Sequence, residues 1–185
     1  MSLKNQKVPN IILGITASIA AFKAISLVRL LVKNNFNVKV IITPHAQHFI
    51  SPLTLQNISG NKVYTDLFEL IKESNPLHTR LAEEADLIII YPATACFISK
   101  ISKGICDDLL SCIIFATNKK VWFCPAMEEN MYNHPIIQEN IKILKKIGYE
   151  FLGPVEGDLV SGKKALGHIV EEKIVLDKIK EFFGR

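Results

Sequence analysis

The stretch ADLIIIYP, residues 85–92, decides the fold. Its apolar residues follow one another without polar alternation, the pattern of a parallel strand covered by helices on both faces, so it belongs in the middle of a sheet. Working outward, NIILGI (10–15) is a short apolar run, and IAAFKAISLVRLLVKNN (19–35) carries apolar residues at spacings of three and four. Together they read as strand then helix. NVKVIIT (37–43) is a second strand rich in β-branched residues, and PHAQHFISPLTLQNIS after it reads as a helix interrupted at Pro52. On the other side, KKVWFCPA (119–126) is a further strand and HPIIQENIKILKKIG (134–148) a helix ending at a glycine. YEFLGP (149–154) reads as a last strand and EEKIVLDKIKEFF (171–183) as a closing amphipathic helix. Strands alternating with helices imply an α/β fold with a mostly parallel, doubly wound sheet and right-handed crossovers.

Composition sets outer bounds. A chain of 185 residues, 49% hydrophobic, buries one core well and is short for two, so residues 1–185 are expected to form a single domain. The net charge of +4 is mild and the lysines are spread without a long run, which disfavours nucleic acid as a partner and suits an anionic small ligand. Cys96, Cys106, Cys112 and Cys124 show no CxxC spacing, so neither a metal site nor a disulfide framework is expected, and most of them read as buried reduced thiols. No apolar stretch approaches the length of a membrane span, and MSLKNQKVPN is too polar for a signal peptide. A cytoplasmic protein without membrane partners is expected.

In doubly wound sheets ligands bind past the carboxyl ends of the strands. The segments that leave the strands are GITASIAAFK (14–23), TPHAQHF (43–49), YPATACF (91–97) and CPAMEENMY (124–132), and all four should converge on one rim. GITAS places Thr16 and Ser18 at a strand-to-helix turn, where backbone N–H groups and the helix dipole favour phosphate. It is neither a GxGxxG nor a GK[ST] loop, and helix capping by Ser18 explains the stretch equally well. Thr43 and Thr94 carry the same ambiguity. Three hydroxyl-bearing strand exits on one rim together suggest a phosphorylated cofactor.

The order GITASIAAFK, ITPHAQHFISPLTLQNISG, HTRLAEEADLIIIYPATA, GICDDLL, then PAM followed by MY resembles the flavin-dependent cysteine decarboxylases over nearly the whole chain, from about Asn10 to about Leu176. Branches of that family act on phosphopantothenoylcysteine, in coenzyme A biosynthesis, or on peptidyl cysteines of lantibiotics. The resemblance implies a Rossmann-like three-layer sandwich that assembles as a homotrimer or a higher multiple, a dodecamer included, with FMN at the subunit interface. By matching positions, Ala17, Ser18, Ile19, Thr43 and His45 would line the phosphate and ribityl end. Thr94, Ala95, Cys96 and Phe97, with Ala126, would meet the rest of the flavin. The family reaction is an oxidative decarboxylation of a cysteinyl thiol, and His78, in HTRLAEEADL, matches the family's essential histidine. An imidazole that titrates near neutrality suits proton removal during thiol oxidation.

The chain departs from the family pattern at three places. Cys96 and Phe97 stand where the family commonly has Asn-Thr. Glu128 stands at the family's asparagine in Pro-x-Met-Asn, where an amide donates to the substrate carboxylate; an ionised Glu128 only accepts and adds a like charge. The competing reading is that Glu128 and Glu129 favourably decorate a helix N-terminus. Ser161 stands where the coenzyme A branch has the cysteine that protonates the final intermediate, and an alcohol is a far weaker acid than a thiol. The surrounding EGDLVSGKKALGH (156–168) reads as a mobile, basic lid over an anionic ligand, or as a plain surface loop. Three functions stay open: a decarboxylase of phosphopantothenoylcysteine, a non-catalytic or partner-dependent FMN-binding protein, and a peptidyl-cysteine decarboxylase of lantibiotic type.

Overall fold

The structure is a computed structural model that describes residues 8–69 and 75–185. The signal-peptide reading falls largely on residues 1–7, outside the described residues. Six parallel strands make the central sheet: β1 (Asn10–Ile15), β2 (Asn37–Ile42), β3 (Val63–Tyr64), β4 (Leu87–Ala93), β5 (Val121–Pro125) and β6 (Glu150–Phe151). Their spatial order is β3-β2-β1-β4-β5-β6, so the chain runs outward twice from the β1/β4 pair. The ADLIIIYP strand lies mid-sheet, as its unbroken apolarity requires, and all seven residues of β4 are buried.

Period-two alternation sorts the side chains into two cores. Ile11, Leu13 and Ile15 point with Leu87, Ile89, Tyr91 and Trp122 toward α1 (Phe22–Lys33), α2 (Pro52–Ser59) and α8 (Glu172–Phe182). Ile12, Ile88, Ile90 and Phe123 face α3 (Leu77–Glu84), α4 (Ala95–Ser102), α5 (Leu109–Ala116) and α7 (Pro135–Lys146). The result is the Rossmann-like three-layer sandwich. Gly14 belongs to the second face because α5 comes so close there: a Cβ would stand 2.6 Å from the Leu110 methyls and 2.9 Å from Ile90 Cδ1.

At the amino ends of the strands a ladder of asparagines ties neighbours together. Asn37 Nδ2 donates to Asn10 Oδ1 (2.7 Å), Asn61 Nδ2 donates to Asn37 Oδ1 (2.8 Å), and Asn10 Nδ2 donates to the Glu84 carbonyl (3.0 Å). In parallel sheets no hairpin sets the register, so such side-chain ties have to help fix it.

Three readings of the sequence need correction. Pro52 opens α2 at its first turn instead of interrupting a helix; the preceding Pro44–His48 is a separate 3-10 turn, and Gly60 ends α2 in the left-handed region at φ 68°. YEFLGP supplies only the two residues of β6 and is not the last strand. The plain-loop reading of residues 156–168 fails, because the segment forms an antiparallel hairpin, β7 (Val155–Asp158) and β8 (Lys164–His168). Among the described residues no helix is long and apolar enough to cross a membrane.

Candidate functional site

Two adjoining cavities open at the carboxyl rim of the sheet, at the point where the strand order reverses. The first, of about 420 Å³, is lined by the exits of β1, β2, β4 and β5 and by one wall from the α4–α5 segment. Ala17, Ser18, Thr43, His45, Thr94, Ala95, Cys96, Phe97 and Ala126 all line it; Ile19 lines the second cavity instead. The four strand exits therefore do converge.

The hydroxyls divide the work differently from the phosphate reading. Thr16, 2% exposed, donates through Oγ1 to the Pro92 carbonyl (2.8 Å) and accepts from the Thr94 backbone N–H (3.0 Å), tying the exits of β1 and β4 together. Ser18 accepts from Ala20 N–H (3.2 Å) and so caps the 3-10 turn Ile19–Ala21. Thr94 caps α4 by accepting from Phe97 N–H (3.3 Å). Thr43 caps nothing; its hydroxyl donates to the Ile15 carbonyl (3.3 Å). A capping hydroxyl spends an acceptor lone pair and keeps its proton, so Ser18 can cap and still donate into the cavity.

The remaining wall was not read from the sequence. Lys100 of α4 reaches Asp107 Oδ1 (2.5 Å) and Asp108 Oδ2 (2.7 Å), and all three line the first cavity. Burial pulls the Lys100 ammonium down, but hydrogen bonds and charge from the two carboxylates outweigh it and hold it above its ordinary value. The Lys100 hydrogen bond in turn lowers Asp107. Asp108 also accepts from Ser111 N–H (2.8 Å) while Ser111 Oγ lies 3.2 Å from Asp108 N, a capping box that starts α5. The Asp-x-x-Ser spacing in CDDLLSC was the available signal.

Most of the cysteines are not the buried thiols expected. Only Cys124 is buried, and burial pushes its thiol well up; Cys96, on the first cavity, and Cys106 are exposed, and Cys112 is intermediate.

The second cavity, of about 320 Å³, shares Ser18, Ala126 and Met127 with the first and lies between the start of α1 and the β7–β8 hairpin. The hairpin is fastened to the β5 exit at one glycine. Met127 N–H donates to the Gly167 carbonyl (3.1 Å), and a Cβ on Gly167 would fall 2.1 Å from Met127 O, at a φ of 145° that disfavours side chains. Glu128 lines this cavity; it is the N-cap residue of α6 (Glu129–Tyr132), but its side chain makes no capping bond. Glu129 does sit in that helix's first turn. Ser161 is exposed at the hairpin tip, next to Val160, which lines the cavity. His78 lies half-buried on the first turn of α3 and lines neither cavity of this chain.

The family model described as Flavoprotein matches residues 1–184, and the chain belongs to that family. It is 42% identical over 176 residues to the coenzyme A biosynthesis bifunctional protein CoaBC of Haemophilus influenzae, covering 95% of this chain but 44% of that protein. The chain thus spans less than half the length of that relative. It is 37% identical to a probable phosphopantothenoylcysteine decarboxylase of Streptococcus mutans, covering 92% of this chain and 97% of that one. Among solved structures, a Cys-to-Ser mutant of a PPC decarboxylase complexed with pantothenoylaminoethenethiol aligns at a TM-score of 0.88 and 28% identity, covering 97% of this chain and all of the other. The FMN binding protein AtHal3 aligns at 0.82 and 26%, covering 96% and 97%.

Proposed function

We propose that this chain binds FMN in the first cavity and catalyses the oxidative decarboxylation of a cysteinyl substrate, with phosphopantothenoylcysteine the leading candidate. The observation that carries the reading is the convergence of four separated strand exits on one cavity of about 420 Å³ with hydroxyls and small residues on its walls. The residues fit the cofactor. Ser18 has a hydroxyl proton to give at a turn that favours phosphate, and Ala17, Ala95 and Ala126 leave room for a flat ring against Phe97 and Met127. Bound FMN would supply the two-electron oxidant. The named relatives support the substrate class.

The roles of this chain's residues follow. His78 takes up the thiol proton, and because it lines neither cavity of its own chain, it serves a neighbouring subunit in a homotrimer or a multiple of three. Glu128 faces the reacting end from the second cavity, and Ser161 stands beside the lining Val160 on the hairpin, in place of the family's proton-donating cysteine. Residues 1–185 act as one flavoprotein domain in the cytoplasm. Purified protein should be yellow, release FMN on denaturation and liberate carbon dioxide from phosphopantothenoylcysteine, as read by mass spectrometry. Replacing Ser161 with Cys should raise the share of fully reduced thiol over the enethiol two mass units lighter. Glu128→Asn should raise turnover, because an amide donor replaces an anion beside the substrate carboxylate. Colourless protein that takes up no FMN on titration would defeat the reading.

The second reading, an FMN-binding protein without decarboxylase activity, is favoured by one observation: the Glu128 carboxylate on the second cavity, with no capping partner to occupy it. Yellow protein that consumes neither phosphopantothenoylcysteine nor a cysteine-terminated peptide, even after Glu128→Asn, would establish it.

A further inference from the structure

Lys23 and His168 come from opposite ends of the chain and meet on the second cavity. Lys23 Nζ lies 2.9 Å from His168 Nε2, and His168 Nδ1 lies 3.0 Å from the Asp158 carbonyl oxygen. A carbonyl only accepts, so Nδ1 carries the ring proton and Nε2 is the lone pair that receives the ammonium. The histidine thus aims the lysine without neutralising it. Among the described residues Lys23 makes no ion pair, which leaves a full positive charge with two N–H donors uncommitted in a half-buried position. The same residue is one face of a helix whose other face packs in the core: Ala24, Leu27 and Val28 are buried, so the ammonium is carried on a fixed stem.

The geometry points to Lys23, oriented by His168, as the group that holds an oxyanion of the substrate in the second cavity, an inference that rests on the proposed decarboxylase reading. The cavity's other charged walls are Glu128 and Asp158. These two carboxylates repel an anionic ligand and the ammonium attracts it, so its anionic end is favoured on the Lys23 side. This assignment also answers the difficulty raised by Glu128, since a chain with a carboxylate on that wall needs a cation elsewhere. A cysteinyl substrate carrying a phosphate offers two oxyanions, its carboxylate and its phosphate, and the shared chemistry is the same.

The test uses the FMN-loaded protein and four S-methyl thioethers, which cannot be oxidised at sulfur by the family reaction: that of phosphopantothenoylcysteine, and the same molecule lacking the phosphate, the carboxyl group, or both. Equilibrium binding is measured for wild type, Lys23→Met, Lys23→Arg and His168→Gln, with flavin content and thermal unfolding confirming that each variant is folded. Lys23→Met should weaken the ligands that carry the contacted oxyanion by about 10- to 100-fold, the range of a charge-assisted hydrogen bond, and leave the ligand lacking both groups unchanged. Lys23→Arg should recover part of the loss, and His168→Gln should lose less than Lys23→Met. Whether the phosphate-bearing or the carboxylate-bearing pair falls identifies the oxyanion. Equal weakening of all four ligands, or of none, overturns the assignment. Carbon dioxide release from the free thiol is measured alongside: its absence in wild type sinks the decarboxylase reading, while the thioether contrast still decides whether Lys23 holds an anion.

Discussion

The two cavities are neighbours built on different plans. The first is made by the exits of four parallel strands, whose ends are levelled by the sheet itself, and most of its lining leaves strands or helices buried in the two cores. The second is closed by a two-stranded hairpin fastened to the sheet mainly at Met127 and Gly167 and by the Lys23–His168 contact. A site on the first plan is stiff and suits a resident cofactor. A site on the second can be altered or opened without touching the sheet, which suits a ligand that must enter and leave.

That contrast can be broken most severely at Gly167. In Gly167→Ala the new Cβ meets backbone, not a rotatable side chain, at a φ alanine disfavours; we expect about 2–4 kcal/mol lost from hairpin docking. Proteolysis should then cut within residues 155–168 while FMN stays bound. Loss of FMN and hairpin together would show that the two cavities are one cooperative unit. Thr16→Val probes the opposite plan. It keeps shape but leaves the Thr94 N–H without its acceptor, while the Pro92 carbonyl still accepts from the Thr16 backbone N–H; at about 1–3 kcal/mol it should weaken FMN retention in dilution experiments more than it changes hairpin proteolysis.

The smallest effect concerns the charged wall of the first cavity. Asp107 is lowered by Lys100, so its share of the pairing is present above the ordinary value of 3.8 and is lost as the pH falls through the depressed value. Lys100 is raised, so its share is complete below 10.5 and is lost as the pH rises through the elevated value. The stability difference between wild type and Lys100→Met should form a plateau between those limits and shrink at both ends. Because Asp107 is largely exposed, its part of the plateau is worth under about 1 kcal/mol. A difference that does not vary with pH would assign Lys100 to packing alone.

The same contrast governs what could be read from the sequence. The first plan is written in short-range patterns: unbroken apolarity in β4, a short apolar run in β1, and hydroxyls or Pro-Ala where strands end. Those patterns brought the four strand exits to one rim, and the positions that the family resemblance assigned to the cofactor, all but Ile19, lie on one cavity there. The hairpin escaped because its strands carry few buried residues and are punctuated by Gly157, Gly162 and Gly167, which looks like loop chemistry. Helix α5 escaped because LLSCIIFA is apolar almost throughout and gives no helical period to detect. Lys23 could not be singled out among the lysines of an amphipathic helix, since the partner that gives it a direction lies 145 residues away. Cys96 sits exposed on the first cavity, where the family resemblance put it, while the neighbouring Ala95 and Phe97 are buried.

The asparagine ladder at the amino ends of β1, β2 and β3 acts as a datum line for the opposite end of the molecule. Strands β1 and β2 pair residue for residue from Asn10↔Asn37 to Ile15↔Ile42, so where they start decides where they stop. A slip of one residue there would offset the rim by about 3.3 Å and turn each side chain to the wrong core. Thr16 and Thr43, which leave these strands side by side, would no longer stand at one height. Tolerances at the cofactor cavity are thus set some six residues, or about 20 Å, below it by side chains no ligand touches. Anyone reshaping this site for a new substrate would do well to leave Asn10, Asn37 and Asn61 alone, and anyone looking for distant substitutions that blunt it has a short stretch of backbone to search.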